Sequence, residues 1–238
     1  MCRIAVIPSV NETCTDDLVG KTAVVIDVLR ATSTIITALQ YGCEGVIPVE
    51  TVYQAKERQQ EGTYLGGERN GKKIPGFELG NSPFEYMSPE LRGKKVILTT
   101  TNGTRAIQKS SKASCVVAAA LLNVRAAARY CLSLKRDIAV ICAGTKDRFS
   151  LEDGLCAGLF ITEVEKQSTE RVDVDDFGAA MRSSYFHVKD RLEEEILSCR
   201  NGRRLSNIGL EEEVSYCSQT NITDVVPILV HDTLIAKF

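Results

Sequence analysis

Short β-branched apolar runs alternate with helix-patterned segments through the first two thirds of the chain, and no other property narrows its possible folds as far. Residues 3–8, 23–28, 45–49, 63–65, 95–99, 113–120 and 137–142 read as strands. Between them, 31–41, 52–61, 104–110, 123–133 and 151–166 read as helices, the first closed by Gly42. Strand, turn and helix repeated in this way predict an α/β fold. Its sheet is mostly parallel, with helices on both faces and right-handed connections, a Rossmann-like three-layer arrangement. The strand runs are apolar almost throughout, as strands covered on both faces must be. With 238 residues the chain buries roughly 70–75% of its unfolded surface, so neither disulfides nor metal are needed to hold it together.

From about residue 175 the texture changes. Helical patterns at 177–181, 188–199 and 210–217 lead into two short apolar runs, 224–230 and 233–237, which form a hairpin or strand pair around His231-Asp232. The chain therefore divides into an α/β domain over 1–170 and a smaller C-terminal α/β lobe over 171–238 that contributes to the edge of the site. A long polar loop, 66–89, carries five glycines and three prolines and is too polar to be core. Loops of that length are often functional, so it is assigned to the active site.

Charge excludes some partners. Lys plus Arg number 29 against 31 for Asp plus Glu, a net charge of −2. Such a balance gives no global field for nucleic acid or an anionic membrane, and neither is expected as a partner. An anionic substrate has to be gathered by a local cluster of cations. The nine cysteines are odd in number and contain no Cys-x-x-Cys pair, so they signal neither a disulfide framework nor a zinc knuckle. Several lie inside apolar runs, where a free thiol behaves as a small buried hydrophobe. A cytoplasmic protein is expected. The N-terminal apolar run is too short for a signal peptide, and the longest apolar stretch, 115–122, is too short to span a bilayer. A homodimer is expected from the chain's class alone.

In open parallel sheets the site lies beyond the carboxyl ends of the strands, where helix N-termini point their N–H groups outward. After the strand at 23–26 comes Asp27-Val-Leu-Arg30-Ala-Thr32-Ser33-Thr34, and after 63–65 comes Gly66-Gly67-Glu68-Arg69-Asn70-Gly71. After 96–98 stands Thr99-Thr100-Thr101-Asn102-Gly103-Thr104-Arg105. After 137–142 stands Ala143-Gly144-Thr145-Lys146-Asp147-Arg148, leading to Glu152-Asp153. Four strand ends thus deliver carboxylates, arginines, a lysine and hydroxyls to one rim. Gly103 permits a tight turn with exposed N–H groups, Thr104 can cap the next helix, and Arg105 offers a bidentate fork. That combination suits a phosphate or sulfonate, and would serve equally as an ordinary capped turn. Likewise the hydroxyls of Thr32, Ser33 and Thr34 can simply cap a helix, and Arg30 can simply pair with Asp27. Ser150-Leu-Glu152-Asp153 has the form of a capping box, which leaves Glu152 freer than Asp153.

With only two histidines, far apart and without partner spacing, a histidine-based zinc site or Ser-His-Asp triad is not expected. Any metal is a hard ion held by oxygen, Mg2+ or else Mn2+. No glycine-rich nucleotide-binding fingerprint is present. The acidic runs 193–195 and 211–213 read as solvated helix faces. Arg203-Arg204 are able to reach the site from the C-terminal lobe but read more simply as surface residues.

The strand-end segments also carry a family resemblance. Val25-Ile-Asp27-Val-Leu-Arg30-Ala-Thr32-Ser33-Thr34, Gly67-Glu68-Arg69-Asn70-Gly71, Ile74-Pro-Gly76-Phe-Glu-Leu-Gly80-Asn81-Ser82-Pro83 and Thr100-Thr-Asn102-Gly103-Thr104-Arg105 resemble the 2-phosphosulfolactate phosphatase family. So do Cys142-Ala-Gly, Leu151-Glu-Asp-Gly, Gly202-Arg-Arg-Leu and Val226-Pro227. The family pattern often has Asp where this chain has Glu78. The resemblance implies a Mg2+-dependent phosphatase that hydrolyses 2-phosphosulfolactate, or a related small 2-phospho acid, to sulfolactate and phosphate, a step toward coenzyme M. It also implies a two-part α/β protein with its site at the carboxyl edge of the sheet.

On this reading Asp27, Arg30, Glu68, Arg69, Asn102, Arg105 and Lys146 form the catalytic set. Thr32, Ser33, Asn70, Thr101, Gly103 and Thr104 bind the small anionic phosphoester, and two or three of Asp27, Glu68, Glu152 and Asp153 hold Mg2+. The nucleophile is either a metal-activated water or Asp27 itself. Position 29 is Leu, so the second aspartate of a haloacid-dehalogenase Asp-x-Asp is missing, which favours water. The alternative is a non-catalytic protein that merely grips a small polyanion. Asp27 and Glu68 separate the two, because a pure anion receptor has no use for carboxylates beside its ligand.

Overall fold

The computed structural model describes residues 1–238. In chain order the strands are β1 (Cys2–Ile7), β2 (Thr22–Ile26), β3 (Gly45–Val49), β4 (Thr63–Arg69), β5 (Lys72–Lys73), β6 (Lys95–Thr99), β7 (Cys115–Ala119), β8 (Ile138–Cys142), β9 (Val172–Val174), β10 (Val226–Val230) and β11 (Thr233–Lys237). The helices are α1 (Ala31–Gln40), α2 (Val52–Glu57), α3 (Gly103–Lys109), α4 (Val124–Ser133), α5 (Leu151–Gln167), α6 (Asp176–Val188), α7 (Leu192–Ser198), α8 (Arg200–Ser206) and α9 (Glu211–Ser218). No helix is long and apolar enough to cross a membrane.

All eleven strands join one sheet in the order β5-β4-β6-β3-β11-β10-β7-β2-β8-β1-β9. It contains two parallel blocks, β4-β6-β3 and β7-β2-β8-β1-β9. Side chains alternate between the faces, and both faces are packed. Val24, Ile26, Val140 and Cys142 meet Ala127 of α4 and Leu155 and Phe160 of α5 on one side. Ala23, Val25, Ala139 and Ile141 meet Ile35 and Leu39 of α1 and Ile107 of α3 on the other. This is the mostly parallel, doubly covered sheet that the unbroken apolar runs predict.

The C-terminal third is placed differently from the lobe expected over 171–238. Strand β9 extends one edge of the main sheet, and the β10–β11 hairpin sits in its middle. Its two outer edges pair antiparallel with β7 and β3, with Ile228 opposite Val117 and Leu234 opposite Val46. The physical reason is that β3 and β7 each have an inner edge whose N–H and C=O groups need partners. Only α7 to α9 remain as a helical cap. Three antiparallel pairings in succession make the two blocks run in opposite directions. Segments following β2 and β8 in one block and β6 in the other still line a single cavity. The sheet's twist therefore brings the two carboxyl edges together.

The loop expected over 66–89 is also more ordered than its composition suggests. Strand β4 runs on through Arg69 and turns back at Asn70-Gly71, both at positive φ, into β5. Ile74, Phe77 and Tyr86 are buried and pin the rest.

Candidate active site

A cavity of about 580 Å3 opens where the two carboxyl edges meet. Its floor carries Asp27, the residue directly after β2. Thr32 folds the start of α1 back onto that position: its hydroxyl accepts from the Asp27 N–H and donates to the Asp27 carbonyl, both at 2.9 Å. The carboxylate Oδ1 accepts from the Ala31 N–H at 3.3 Å, and Oδ2 has no hydrogen-bond partner. Burial pushes the Asp27 carboxyl up to about 7; the Ala31 N–H opposes this, and the nearby Glu68 and Glu152 charges add to it. Gly103 makes the close approach possible, because a Cβ there would lie 2.6 Å from Asp27 Oδ2.

Arg30 is buried beside Asp27, and its Nη1 donates to the equally buried Glu213 of α9. Its remaining donors have no protein partner. Glu68 is fully engaged: Oε1 accepts from the Thr101 N–H at 2.9 Å and the Thr101 hydroxyl at 2.8 Å, and Oε2 accepts from the Gly71 N–H at 2.6 Å. It thereby ties the β4–β5 turn to the segment after β6. Thr100 and Thr104 bond reciprocally through side chain and backbone, which closes the first turn of α3.

Of the thirteen residues proposed to do chemistry or bind substrate, the cavity wall holds Asp27, Arg30, Glu68, Asn70, Thr101, Asn102 and Lys146. The other six lie outside it. Arg69 turns away, with Nη2 donating to the Glu50 carbonyl and the Thr99 hydroxyl, both at 2.9 Å. Strand alternation explains this, because a neighbour of the inward-facing Glu68 faces the other way. Arg105 pairs with Asp147 at 2.7 Å and reaches Asn11 at 3.3 Å. It braces the turn that carries Lys146. Thr32, Ser33 and Thr104 are buried and spend their hydroxyls on backbone groups, and Gly103 packs beneath Asp27.

Glu152 and Asp153, also proposed as metal ligands, are engaged elsewhere. Asp153 accepts from the Val28 N–H at 2.9 Å and the Gly144 N–H at 3.0 Å, joining the β2 and β8 ends. Burial first, then the Glu152 and Asp27 charges, push its carboxyl well above the usual carboxylate range. Glu152 accepts from Asn201 Nδ2 at 2.7 Å and from Cys199 Sγ at 3.2 Å.

Sequence reasoning missed several wall residues: Asn81, Thr100, Thr145 and Arg148, and from α8 Arg200, Asn201 and Arg204. Their signal is present in part: Thr100, Thr145 and Arg148 stand in the strand-end segments, Asn81 lies inside the Ile74–Pro83 motif, Arg200 and Asn201 directly precede Gly202-Arg-Arg-Leu, and Arg204 reads more simply as a surface residue. Glu213, read as a solvated face, gave none.

A hard cation can be tested against this donor set. No three His, Cys, Asp or Glu side chains cluster as a ready-made metal site. Asn81, however, is buried in the wall and its Oδ1 has no hydrogen-bond partner. This Oδ1 and Asp27 Oδ2 are hard oxygens of the cavity-lining residues with no partner within the protein, a donor set that fits an ion such as Mg2+, which takes one or two carboxylates and completes its shell from water and substrate phosphate.

The sequence profile of the 2-phosphosulpholactate phosphatase family matches residues 8–232 of the chain. The chain belongs to the 2-phosphosulfolactate phosphatase family. A relative from Thermotoga maritima, named "Probable 2-phosphosulfolactate phosphatase", is 44% identical over 91% of this chain and 92% of its own length. Relatives of the same name from Clostridium perfringens and Symbiobacterium thermophilum are 41% and 39% identical over 94% and 92% of this chain, and over 92% and 95% of their own lengths. Membership of the 2-phosphosulfolactate phosphatase family makes the chain one of a group of phosphomonoester hydrolases.

Proposed function

We propose that the protein hydrolyses the phosphomonoester of 2-phosphosulfolactate, or of a closely related small 2-phospho acid, in a Mg2+-dependent reaction that serves the route to coenzyme M. The observation that carries this reading is the cavity wall itself, in which two buried carboxylates, Asp27 and Glu68, stand among five cations. A receptor for anions gains nothing from carboxylates beside its ligand, whereas a phosphatase uses them to hold a cation and shape the site.

In the reaction water adds to phosphorus, the phosphorus–oxygen bond to C2 breaks, and the displaced alcohol oxygen ends as a hydroxyl. Asp27 and Asn81 would hold Mg2+, which when bound neutralises charge on the phosphoryl oxygens. Arg30, with one donor fixed by Glu213, directs its free donors at the same oxygens. Glu68 orients Thr101 and, through Gly71, the turn that presents Asn70. Backbone N–H groups at the start of α3, near Asn102, add fixed positive ends. Lys146 faces the cavity as a cation for charge left on the departing oxygen.

The test is Asp27→Asn. The expected outcome is loss of turnover by more than a hundredfold, with inorganic phosphate still bound as tightly as by wild type. Turnover at the wild-type rate would remove Asp27 from the mechanism.

A further inference from the structure

The cavity holds more positive charge than a transferred phosphoryl group requires. Arg30 and the α3 amides already serve that group on the reading above, on which this inference rests. Four further cations line the same wall: Lys146 and Arg148 from the turn after β8, and Arg200 and Arg204 from α8. None of them is ion-paired, in contrast to Arg30. The side chains of Lys146, Arg148 and Arg200 make no hydrogen bond within the protein. Arg204 makes one, from Nε to Asn201 Oδ1 at 3.4 Å. Like charges facing one concave space repel unless an anion sits among them.

Two of the four are mounted on a common rigid support. Arg200 and Arg204 are spaced i, i+4 and so share a helix face. Between them the buried Asn201 clamps the helix, donating from Nδ2 to Glu152 Oε1 at 2.7 Å and to Thr145 Oγ1 at 2.5 Å. Gly71 leaves room for the Arg204 guanidinium, since a Cβ at Gly71 would lie 2.8 Å from Arg204 Nη1. That contact sets the arginine against the turn that carries Asn70 and is bonded to Glu68. Arg203, between the two, lies outside this cavity and lines its neighbour.

We propose that Arg200 and Arg204 are the specificity determinants of the site. They bind an acidic group on the part of the substrate that is not transferred, so that the enzyme selects phosphoesters whose alcohol carries a carboxylate or sulfonate a few bonds from the phosphate. Guanidinium forks match the paired oxygens of either group. The carboxylate and sulfonate cases are distinguished by comparing 2-phospholactate, which has only the carboxylate, with 2-phosphosulfolactate, which has both.

The experiment measures KM and kcat for both esters, and the inhibition constant of inorganic phosphate, in wild type, Arg200→Gln, Arg204→Gln and Arg203→Gln. Inorganic phosphate occupies only the phosphoryl position and acts as an internal control. Each of Arg200→Gln and Arg204→Gln is expected to raise KM by about tenfold to a hundredfold, with phosphate inhibition changed less than about threefold and Arg203→Gln unaffected. A KM change confined to 2-phosphosulfolactate assigns the arginines to the sulfonate, and a change on both esters assigns them to the carboxylate; either result supports the proposal. Unchanged KM values, or KM and phosphate inhibition moving together, would overturn it while leaving the phosphatase reading intact. A wild-type protein that releases phosphate from neither ester removes that reading and this assignment with it.

Discussion

Asp27 concentrates the physical tension of the molecule in one side chain. It is a carboxyl buried at the end of a core strand with a single N–H to stabilise its charge. In the metal-free protein its raised value makes folding hold a proton that the unfolded chain releases. Below about pH 3 both states are protonated and there is no penalty; the penalty grows as pH rises through the ordinary value of 3.8 and is complete above about pH 7. Asp27→Asn in EDTA should therefore leave the melting temperature near pH 3 unchanged and raise it at pH 8, by as much as about 4 kcal/mol in stability. A denaturation series across that range checks the sign. Gly103→Ala pushes a methyl group into Asp27 Oδ2 and Ala31 Cβ, and should cost about 1–3 kcal/mol while lowering kcat. Lys146→Ala should lower kcat by about tenfold and leave KM little changed, as steady-state phosphate release would show. Arg105→Ala removes only a half-buried brace, so it should raise KM a few-fold and change stability by less than about 1 kcal/mol.

At the scale of elements, the site is assembled by ties between segments remote in sequence. Asp153 joins the ends of β2 and β8, Glu68 joins β4 to the start of α3, and Glu213 reaches from α9 to Arg30. Glu213→Ala leaves Arg30 buried without its partner and should destabilise the fold by about 3–5 kcal/mol, with Glu213→Gln recovering part of the loss, as measured by chemical denaturation. The same ties show what sequence can and cannot reveal. Asp27 and Glu68 are legible because a carboxylate directly after or within the end of an apolar run has few other reasons to be there. Arg69 misleads because loop residues carry no face, and only the extension of β4 sends it away from Glu68. Glu213 is illegible because an acidic run looks solvated until the neighbouring Val214 and Cys217 are seen to be buried.

For the whole molecule, the local pattern of strand and helix is written in the chain, but the closure of the sheet is not. Nothing in residues 226–237 announces that they bridge two parallel blocks; that follows from the open inner edges of β3 and β7, which no local window contains. A chain ending at residue 223 should fail to fold, giving no cooperative melting transition, whereas a detachable lobe would leave residues 1–170 intact. The coiled sheet then gathers segments from both blocks around one cavity, the proposed metal-assisted phosphatase site. Phosphate release from 2-phosphosulfolactate, 2-phospholactate, phosphoglycolate and p-nitrophenyl phosphate, with added Mg2+ and with EDTA, tests this most directly. Release is expected to be strongest on the two 2-phospho acids and abolished by EDTA. No release from any of the four by folded, Mg2+-supplied protein, or release indifferent to EDTA, would contradict it.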